Sequence, residues 1–444
     1  MVSDGTREVI RVTGARVLSQ GSGQRCLVVD PLETDLGDTM SGNTNVVVIG
    51  GGYAGVMAAN RLTQRGDVSV TLVNPRPDFV HRIRLHQLAA GTGDAVVGFR
   101  EVLADGVRLV VDAVTRIDAA GRRAELASGD AVGYDYLVYA VGSGSADPKV
   151  PGAAEFGYPV ANLEDVQRLL PVLGAAPADA AVTVVGAGPT GIETAAELAE
   201  RGRAVTLVCG GVLGPYLHAR GRRSVAGRLA ALGVNVVEGD GAKVTAVTRD
   251  AVELADGRVL PSAVTIWTVG FAVPDLAVRS GLSTDALGRL LTDETLTSVD
   301  DDRVFAAGDS AAPSGQPLRM SCQAAMPMGA RAADTVLSRI AGERPEELHQ
   351  PFAAQCISLG RGTGIFQFAN KADVAVWAHI DGRLGAKLKE TVCKVVVKHL
   401  AEEGHKPGGY KLHQGGSAAK RQELVRAGAA AEGARAEAVL QRIG

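Results

Sequence analysis

NVVVIGGGYAG, residues 45–55, is the stretch that decides the fold. Val46 to Ile49 form a short apolar run that stops at Gly50, and Gly50, Gly52 and Gly55 follow the spacing G-x-G-x-x-G. Val56 to Thr63 is small and apolar and reads as a helix. Strand, tight glycine turn and helix in that order are the fingerprint of a βαβ unit that binds a dinucleotide. Gly50 permits the turn, and Gly52 lets backbone approach a pyrophosphate. Gly55 lets the helix pack close to the strand, with its positive N-terminal end toward the phosphates. One match is a weak signal, because many βα turns are glycine-rich. VTVVGAGPTG, residues 182–191, repeats it with Gly186, Gly188 and Gly191, so the chain is expected to hold two dinucleotide sites.

Composition agrees with that frame. At 444 residues the chain has room for two or three domains. A net charge of −3 lacks the basic excess of a nucleic-acid binder, so no nucleic-acid partner is expected. The 46% hydrophobic share rests on Ala and Val with only 4% aromatics, which suits a parallel sheet with closely packed helices. Cys26, Cys209, Cys322, Cys356 and Cys393 form no C-x-x-C or C-x-x-x-x-C, so neither a zinc site nor a neighbouring redox pair is expected, and the thiols read as buried or idle. No apolar run reaches the roughly eighteen residues of a membrane span, and no signal-peptide core opens the chain. The expected location is the cytoplasm, with peripheral contact at the inner face of the cell membrane.

The remaining motifs fall between and after the two turns. Val68 to Val73 reads as a second strand and ends at Asn74, where an acid often meets the ribose of an adenosine. FVHRIRLHQ, residues 79–87, carries His81, Arg82, Arg84 and His86, either as a solvated helix face or as a basic wall beside a cofactor. Tyr134 to Val141 is an apolar strand that ends at Gly142. From Val182 the unit repeats as a helix over Ile192–Arg201, strands over Ala204–Val208 and Val234–Glu238 flanking a helix over Arg222–Leu232, and an apolar strand Ala263–Val269 ending at Gly270. VFAAGD, residues 304–309, is a strand stopping on Gly308 and Asp309, an acid able to accept hydrogen bonds from a polyol. Met320 to Ile340 reads as a long helix with Gln323 near its start, and period-two patterns over 353–359, 364–368 and 374–379 suggest a small antiparallel sheet. Leu384 to Leu400 is a basic amphipathic helix whose Lys387, Lys389, Lys394 and Lys398 lie mostly off the apolar stripe, for packing on that sheet or for an anionic membrane surface.

The expected class is α/β, with two Rossmann-like, three-layer nucleotide-binding domains and a small C-terminal α+β domain. The expected division is an extension over 1–43, a discontinuous first domain over 44–160 and 271–345, a second over 161–270, a third over 346–403 and a flexible tail over 404–444.

Gly50-x-Gly52-x-x-Gly55, Tyr139 to Gly142, the second G-x-G-x-x-G, Thr268 to Gly270 and Ala307 to Asp309 together resemble the flavoproteins with two dinucleotide-binding domains, which include the pyridine nucleotide-disulfide oxidoreductases. Within them the chain looks most like the type II NADH dehydrogenases and the apoptosis-inducing-factor-like NAD(P)H:quinone oxidoreductases, over about residues 43–400. The resemblance implies an FAD-dependent NAD(P)H dehydrogenase that reduces a quinone-like acceptor, with a homodimer among the expectations. FAD would meet Gly50, Gly52, Tyr53, Ala54, Gly55, Asn74, Arg84, Ala140, Gly142, Gly308 and Asp309. NADH or NADPH would meet Gly186, Gly188, Pro189, Thr190, Gly191 and Gly270. Gln323 and Ala324 would lie by the isoalloxazine at a helix N-terminus, and Glu193 and Gln323 are the expected catalytic residues. Glu193 reads equally as charge complementing its helix dipole.

Two positions depart from the pattern. Asn74 replaces the acid at the first ribose, and Cys209 with Gly210 stand at the second without one. Arg220, Arg222 and Arg223 follow and could favour a 2′-phosphate, so NADH and NADPH both stay open. Pro77 to Gly91 holds no cysteine, unlike the disulfide reductases, and no Baeyer–Villiger signature lies between the two turns. A ferredoxin or rubredoxin reductase, a redox-sensing flavoprotein and a tailoring oxidase are the rival readings.

Overall fold

The computed structural model describes residues 43–370, 372–412, 421–423 and 425–426, so the N-terminal extension before residue 43 lies outside the described residues. The first apolar run becomes Thr44–Ile49 (β1), with Val46 to Ile49 all buried. Tyr53–Leu62 (α1) returns the chain to Val68–Asn74 (β2), and Leu85–Ala90 (α2) precedes Val107–Val111 (β3). An antiparallel meander over 114–133 leads into Tyr136–Tyr139 (β4). The second unit is Gly157–Pro159 (β5), Leu163–Ala175 (α3), Ala181–Val185 (β6), Pro189–Glu200 (α4), Ala204–Val208 (β7), Ala219–Ala231 (α5), Asn235–Val237 (β8) and, after a meander over 244–261, Val264–Trp267 (β9). The chain then adds Val304–Ala306 (β10), Cys322–Ala341 (α6), Ala354–Ser358 (β11), Gly364–Ala369 (β12), Ala375–Ile380 (β13) and Gly382–His405 (α7).

Two five-stranded parallel sheets result, ordered β10-β4-β1-β2-β3 and β5-β9-β6-β7-β8, with an antiparallel β11-β12-β13 sheet beside them. The class is α/β, as the two glycine turns imply. In each parallel sheet the chain leaves the strand before the glycine turn, β1 or β6, toward one neighbour and later places β4 or β9 on its other side. That reversal opens a crevice beyond the carboxyl ends of the strands, where ligands bind in such sheets.

The repeat extends to atomic packing. Gly50 (φ 100°) and Gly186 (φ 108°) adopt backbone that favours glycine, and a Cβ there would stand 2.4 Å from Ala140 O or 2.7 Å from Thr268 Oγ1. A Cβ on Gly55 or Gly191 would lie 1.8 Å from the carbonyl of Gly50 or Gly186 respectively, so helix and strand touch through backbone in both units. α4 starts at Pro189 rather than Ile192, because proline suits the first helical position.

α7 is a packing helix. Its Gly385 sits against Gly364 of β12, where a Cβ would be 2.2 Å from the carbonyl oxygen. Its far end is tied to α1: Asn60 Nδ2 donates to Leu400 O at 2.9 Å, and Arg61 Nη1 meets Glu403 at 3.0 Å. The basic face is smaller than its sequence suggests, since Lys389 is buried and exposed Lys394 and Lys398 stand near Glu390 and Glu402. The flexible tail expected from Gly404 is corrected over 404–412. There Gly408 N and Tyr410 N donate to the Glu403 carboxylate at 2.8 and 2.6 Å, which holds the chain against α1 and α7. Among the described residues no helix is long and apolar enough to cross a membrane.

Candidate functional site

A cleft of about 1440 Å³ follows the carboxyl ends of the first sheet and continues past the starts of α4 and α6 to the middle of α7. At one end lies Asn74, buried at the end of β2. Its Oδ1 accepts from Gly51 N at 2.8 Å and its Nδ2 donates to Arg76 O at 2.8 Å, so the amide braces the glycine turn from both directions. A carboxylate could accept the first bond but could not donate the second.

Gly50, Gly52, Tyr53, Ala54, Ala140, Gly142, Gly308 and Asp309 all line the cleft. Gly55 supports the turn from behind, against the Gly50 carbonyl. Asp309 Oδ2 accepts from Ser143 Oγ at 2.7 Å and faces Arg82 Nη1 at 3.4 Å, while Arg82 Nε donates to Ala161 O at 3.1 Å. Arg84 requires correction. Residues 82–84 form a 3-10 turn, in which positions two apart point to different sides. Arg82 enters the cleft, and Arg84 turns to Glu390 with Nη2–Oε1 at 2.7 Å and Nη1–Oε2 at 3.1 Å. The expected basic wall shrinks further because His81 and His86 are buried. Burial pulls both imidazoles down to about 4, leaving them neutral at pH 7.

The first crevice fits a flavin dinucleotide. A Cβ on Gly52 or Gly142 would project into space with no protein atom within 4 Å, so backbone is bare where a pyrophosphate would sit. Arg82, Ser143 and Asp309 supply donors and an acceptor beside it.

Of the second set, Pro189, Thr190 and Glu193 reach the same cleft. Gly186, Gly188 and Gly191 make the turn between β6 and α4, where Gly188 faces open space and Gly191 packs behind the Gly186 carbonyl, and Gly270 joins Thr190 in a small recess.

Glu193 lies beyond the first turn of α4, so the helix-dipole reading does not apply. Its Oε1 pairs with Lys389 Nζ at 2.8 Å and accepts from Ser358 N at 2.9 Å. His86 completes the group, with Nε2 3.0 Å from Ser358 Oγ and Nδ1 3.6 Å from Glu193 Oε2. Burial pushes the Glu193 carboxyl up, but the Lys389 ammonium, with the Ser358 N–H behind it, outweighs burial and holds it below its ordinary value. Burial disfavours the charge on Lys389, but the Glu193 carboxylate beside it outweighs that and raises its proton affinity. The pair is therefore charged at neutral pH and opens onto the cleft. Lys389 was hidden in a list of basic residues. The signal was its register, three, four and seven residues before Val392, Cys393 and Val396, inside the apolar stripe.

Gln323 lines the cleft at the start of α6. Oriented to satisfy both ends, its amide donates to Ala354 O at 3.1 Å and accepts from Ala353 N at 3.2 Å, so it fastens the helix to the segment before β11. Ala324 does not face the cleft; its N–H is capped by Ser321 Oγ at 3.3 Å and its methyl is buried. Cys322 and Cys356 also line the cleft. Burial pushes Cys322 up to about 11 and raises Cys356 as well. Beyond them Val392, Val395, Val396, His399 and Tyr410 form a mostly apolar slot, with the His399 and Tyr410 rings edge to face at 5.5 Å.

Comparison with known proteins agrees with this fold. The sequence profile described as pyridine nucleotide-disulphide oxidoreductase matches residues 44–329. An NADH dehydrogenase-like protein of Mycobacterium tuberculosis is 34% identical over 353 residues, covering 73% of this chain and 87% of that protein. The type II NADH:quinone oxidoreductase Ndh of the same organism is 29% identical over 355 residues, covering 69% and 75%. In fold, the chain is similar to NDH2 of Plasmodium falciparum, with a TM-score of 0.68 at 15% identity over 83% of this chain and 99% of that one.

Proposed function

Because the chain belongs to the pyridine nucleotide-disulphide oxidoreductase family, we propose that it is an FAD-dependent NAD(P)H dehydrogenase whose electrons leave to a quinone. One observation carries this reading. A single cleft joins the first glycine turn, the start of α4 and an apolar slot beside a buried lysine. Those are the needs of a carrier, a donor and an acceptor. The NADH dehydrogenase and NADH:quinone oxidoreductase among its relatives support the same donor and acceptor.

Gly50 and Gly52 at the start of α1, with Arg82, would hold the FAD pyrophosphate; Asp309 and Ser143 would hold its polyol. Gly186, Gly188 and Gly191 at the start of α4 would hold the nicotinamide nucleotide, with Thr190 between the two crevices. FAD bound there supplies a carrier that accepts two electrons from a nicotinamide and yields them to an acceptor. The protein's part is orientation, exclusion of water and charge. The slot against α7 offers a flat ring an apolar wall. Lys389 keeps its positive charge at the edge of this slot, where it would favour a quinone gaining electrons. Glu193 keeps that charge in place, and Gln323 pins the positive end of α6 toward the cleft. Cys322 and Cys356 stay protonated, which suits neither a nucleophile nor a thiol relay. For a quinone drawn from a bilayer, the exposed Val374, Trp377 and Leu384 would make the lipid contact in place of the lysines of α7.

The test is steady-state NADH oxidation by the purified yellow protein, with and without a short-chain quinone. Strong dependence on the quinone is expected, with flavin and activity lost together in Asp309→Ala. A flavin-loaded protein that ignores the quinone would remove the acceptor from this reading.

A further inference from the structure

The acid that commonly meets the adenosine ribose is missing at the end of β7, where Cys209, Gly210 and Gly211 stand. A carboxylate arrives instead from the neighbouring strand. Glu238 directly follows β8, which pairs in parallel with β7. The two strand ends are laced together: Cys209 N donates to Val237 O at 2.9 Å and Gly239 N to Gly211 O at 2.7 Å. Leu213 N then donates to Glu238 Oε1 at 2.6 Å, which holds the carboxylate beside the loop leaving β7. Burial, with the Glu238 charge second, pushes the Cys209 thiol up to about 12, so the negative charge of this corner is carried by Glu238.

The same loop reaches the second glycine turn, since Gly214 N donates to Ala187 O at 3.0 Å. Gly188, Gly210 and Gly211 each face open space where a side chain would stand. One oxygen of Glu238 is committed to Leu213, and the other is left to accept from a ligand hydroxyl. The nearby arginines are directed elsewhere or exposed. The Arg220 guanidinium lies 5.6 Å over the Trp377 ring, Arg222 Nη2 donates to Leu217 O at 3.3 Å, and Arg223 is exposed on α5.

We propose that Glu238 makes the second crevice selective for a dinucleotide with a free 2′-hydroxyl, NADH, over one with a 2′-phosphate, NADPH. This rests on the reading that the second glycine turn binds the nicotinamide nucleotide. A carboxylate accepts a strong hydrogen bond from a ribose hydroxyl. A phosphate monoester would instead bring about two negative charges against it, and discrimination would come from that repulsion.

The experiment measures equilibrium binding of ADP-ribose and of its 2′-phosphate to the FAD-loaded protein, alongside kcat/KM for NADH and NADPH. The wild type is expected to prefer the unphosphorylated ligand by about tenfold or more. Glu238→Gln keeps an oxygen for Leu213 N–H but loses the charge, and should shrink the preference to about threefold or less. Glu238→Asp keeps the charge on a shorter arm and should retain most of it. A wild type without preference, or a preference untouched in Glu238→Gln, would overturn the role of Glu238. If neither ligand binds the yellow protein, the reading of the second crevice itself fails, and the proposal with it.

Discussion

Lys389 and Glu193 bury two charges in contact, and each makes the other tolerable. Removing one partner leaves an uncompensated charge, which costs about 3–5 kcal/mol in comparable buried pairs. Lys389→Met should therefore lower stability by that order in denaturant unfolding, and the double variant with Glu193→Gln should recover part of the loss. A double variant no better than the single would mean that the two side chains do not depend on one another. Lys389→Met should also slow reoxidation by quinone at least about tenfold while leaving reduction by NADH within a few-fold. At this scale the sequence was partly legible. Glycines and Asp309 announce themselves because their motifs exist only to place backbone or charge at a strand end. Arg82 and Arg84 look alike in sequence, and only the 3-10 turn decides which one faces the cleft. Ser143 and Ser358 carried no signal, because their partners lie 166 and 165 residues away in Asp309 and Glu193.

The two βαβ units can be tested as elements. In both, helix meets strand through backbone, so a single methyl must push them apart, which in a packed interior costs about 1–3 kcal/mol. Gly55→Ala should weaken retention of FAD, seen as colour lost on gel filtration. Gly191→Ala should leave the protein yellow and raise KM for NADH about tenfold or more. Loss of colour in both, or in neither, would contradict the assignment of one nucleotide to each crevice. Helices and strands of the units were readable because buried parallel strands leave plain apolar runs. α7 was only half readable: periodicity located it, but its burial depends on Gly364 of the adjacent sheet and on Asn60 and Arg61, far away in the chain.

At the scale of the whole molecule, α7 ties the parts together. It packs on the antiparallel sheet, bonds α1 through Leu400 and Glu403, and reaches α4 through Lys389. His81 and His86 sit within this joint. Their ordinary values near 6.5 fall to about 4 on folding, so between those values the unfolded chain binds more protons and acid favours it. Their contribution is full above pH 6.5 and lost progressively toward pH 4. Thermal stability should fall between pH 7 and 5, by on the order of 1–2 kcal/mol for each histidine, and His86→Gln should flatten the profile. An unchanged slope in that variant would mean that His86 takes up its proton while folded. The central claim, electrons entering from a nicotinamide and leaving to a quinone through one cleft, is tested most directly by anaerobic sequential mixing with the flavin absorbance as the signal. NADH in the first mix should bleach the yellow protein within seconds, and a short-chain quinone in the second should restore the colour faster than dissolved oxygen does. Colour that returns no faster with quinone than with oxygen, or that never bleaches, would contradict it.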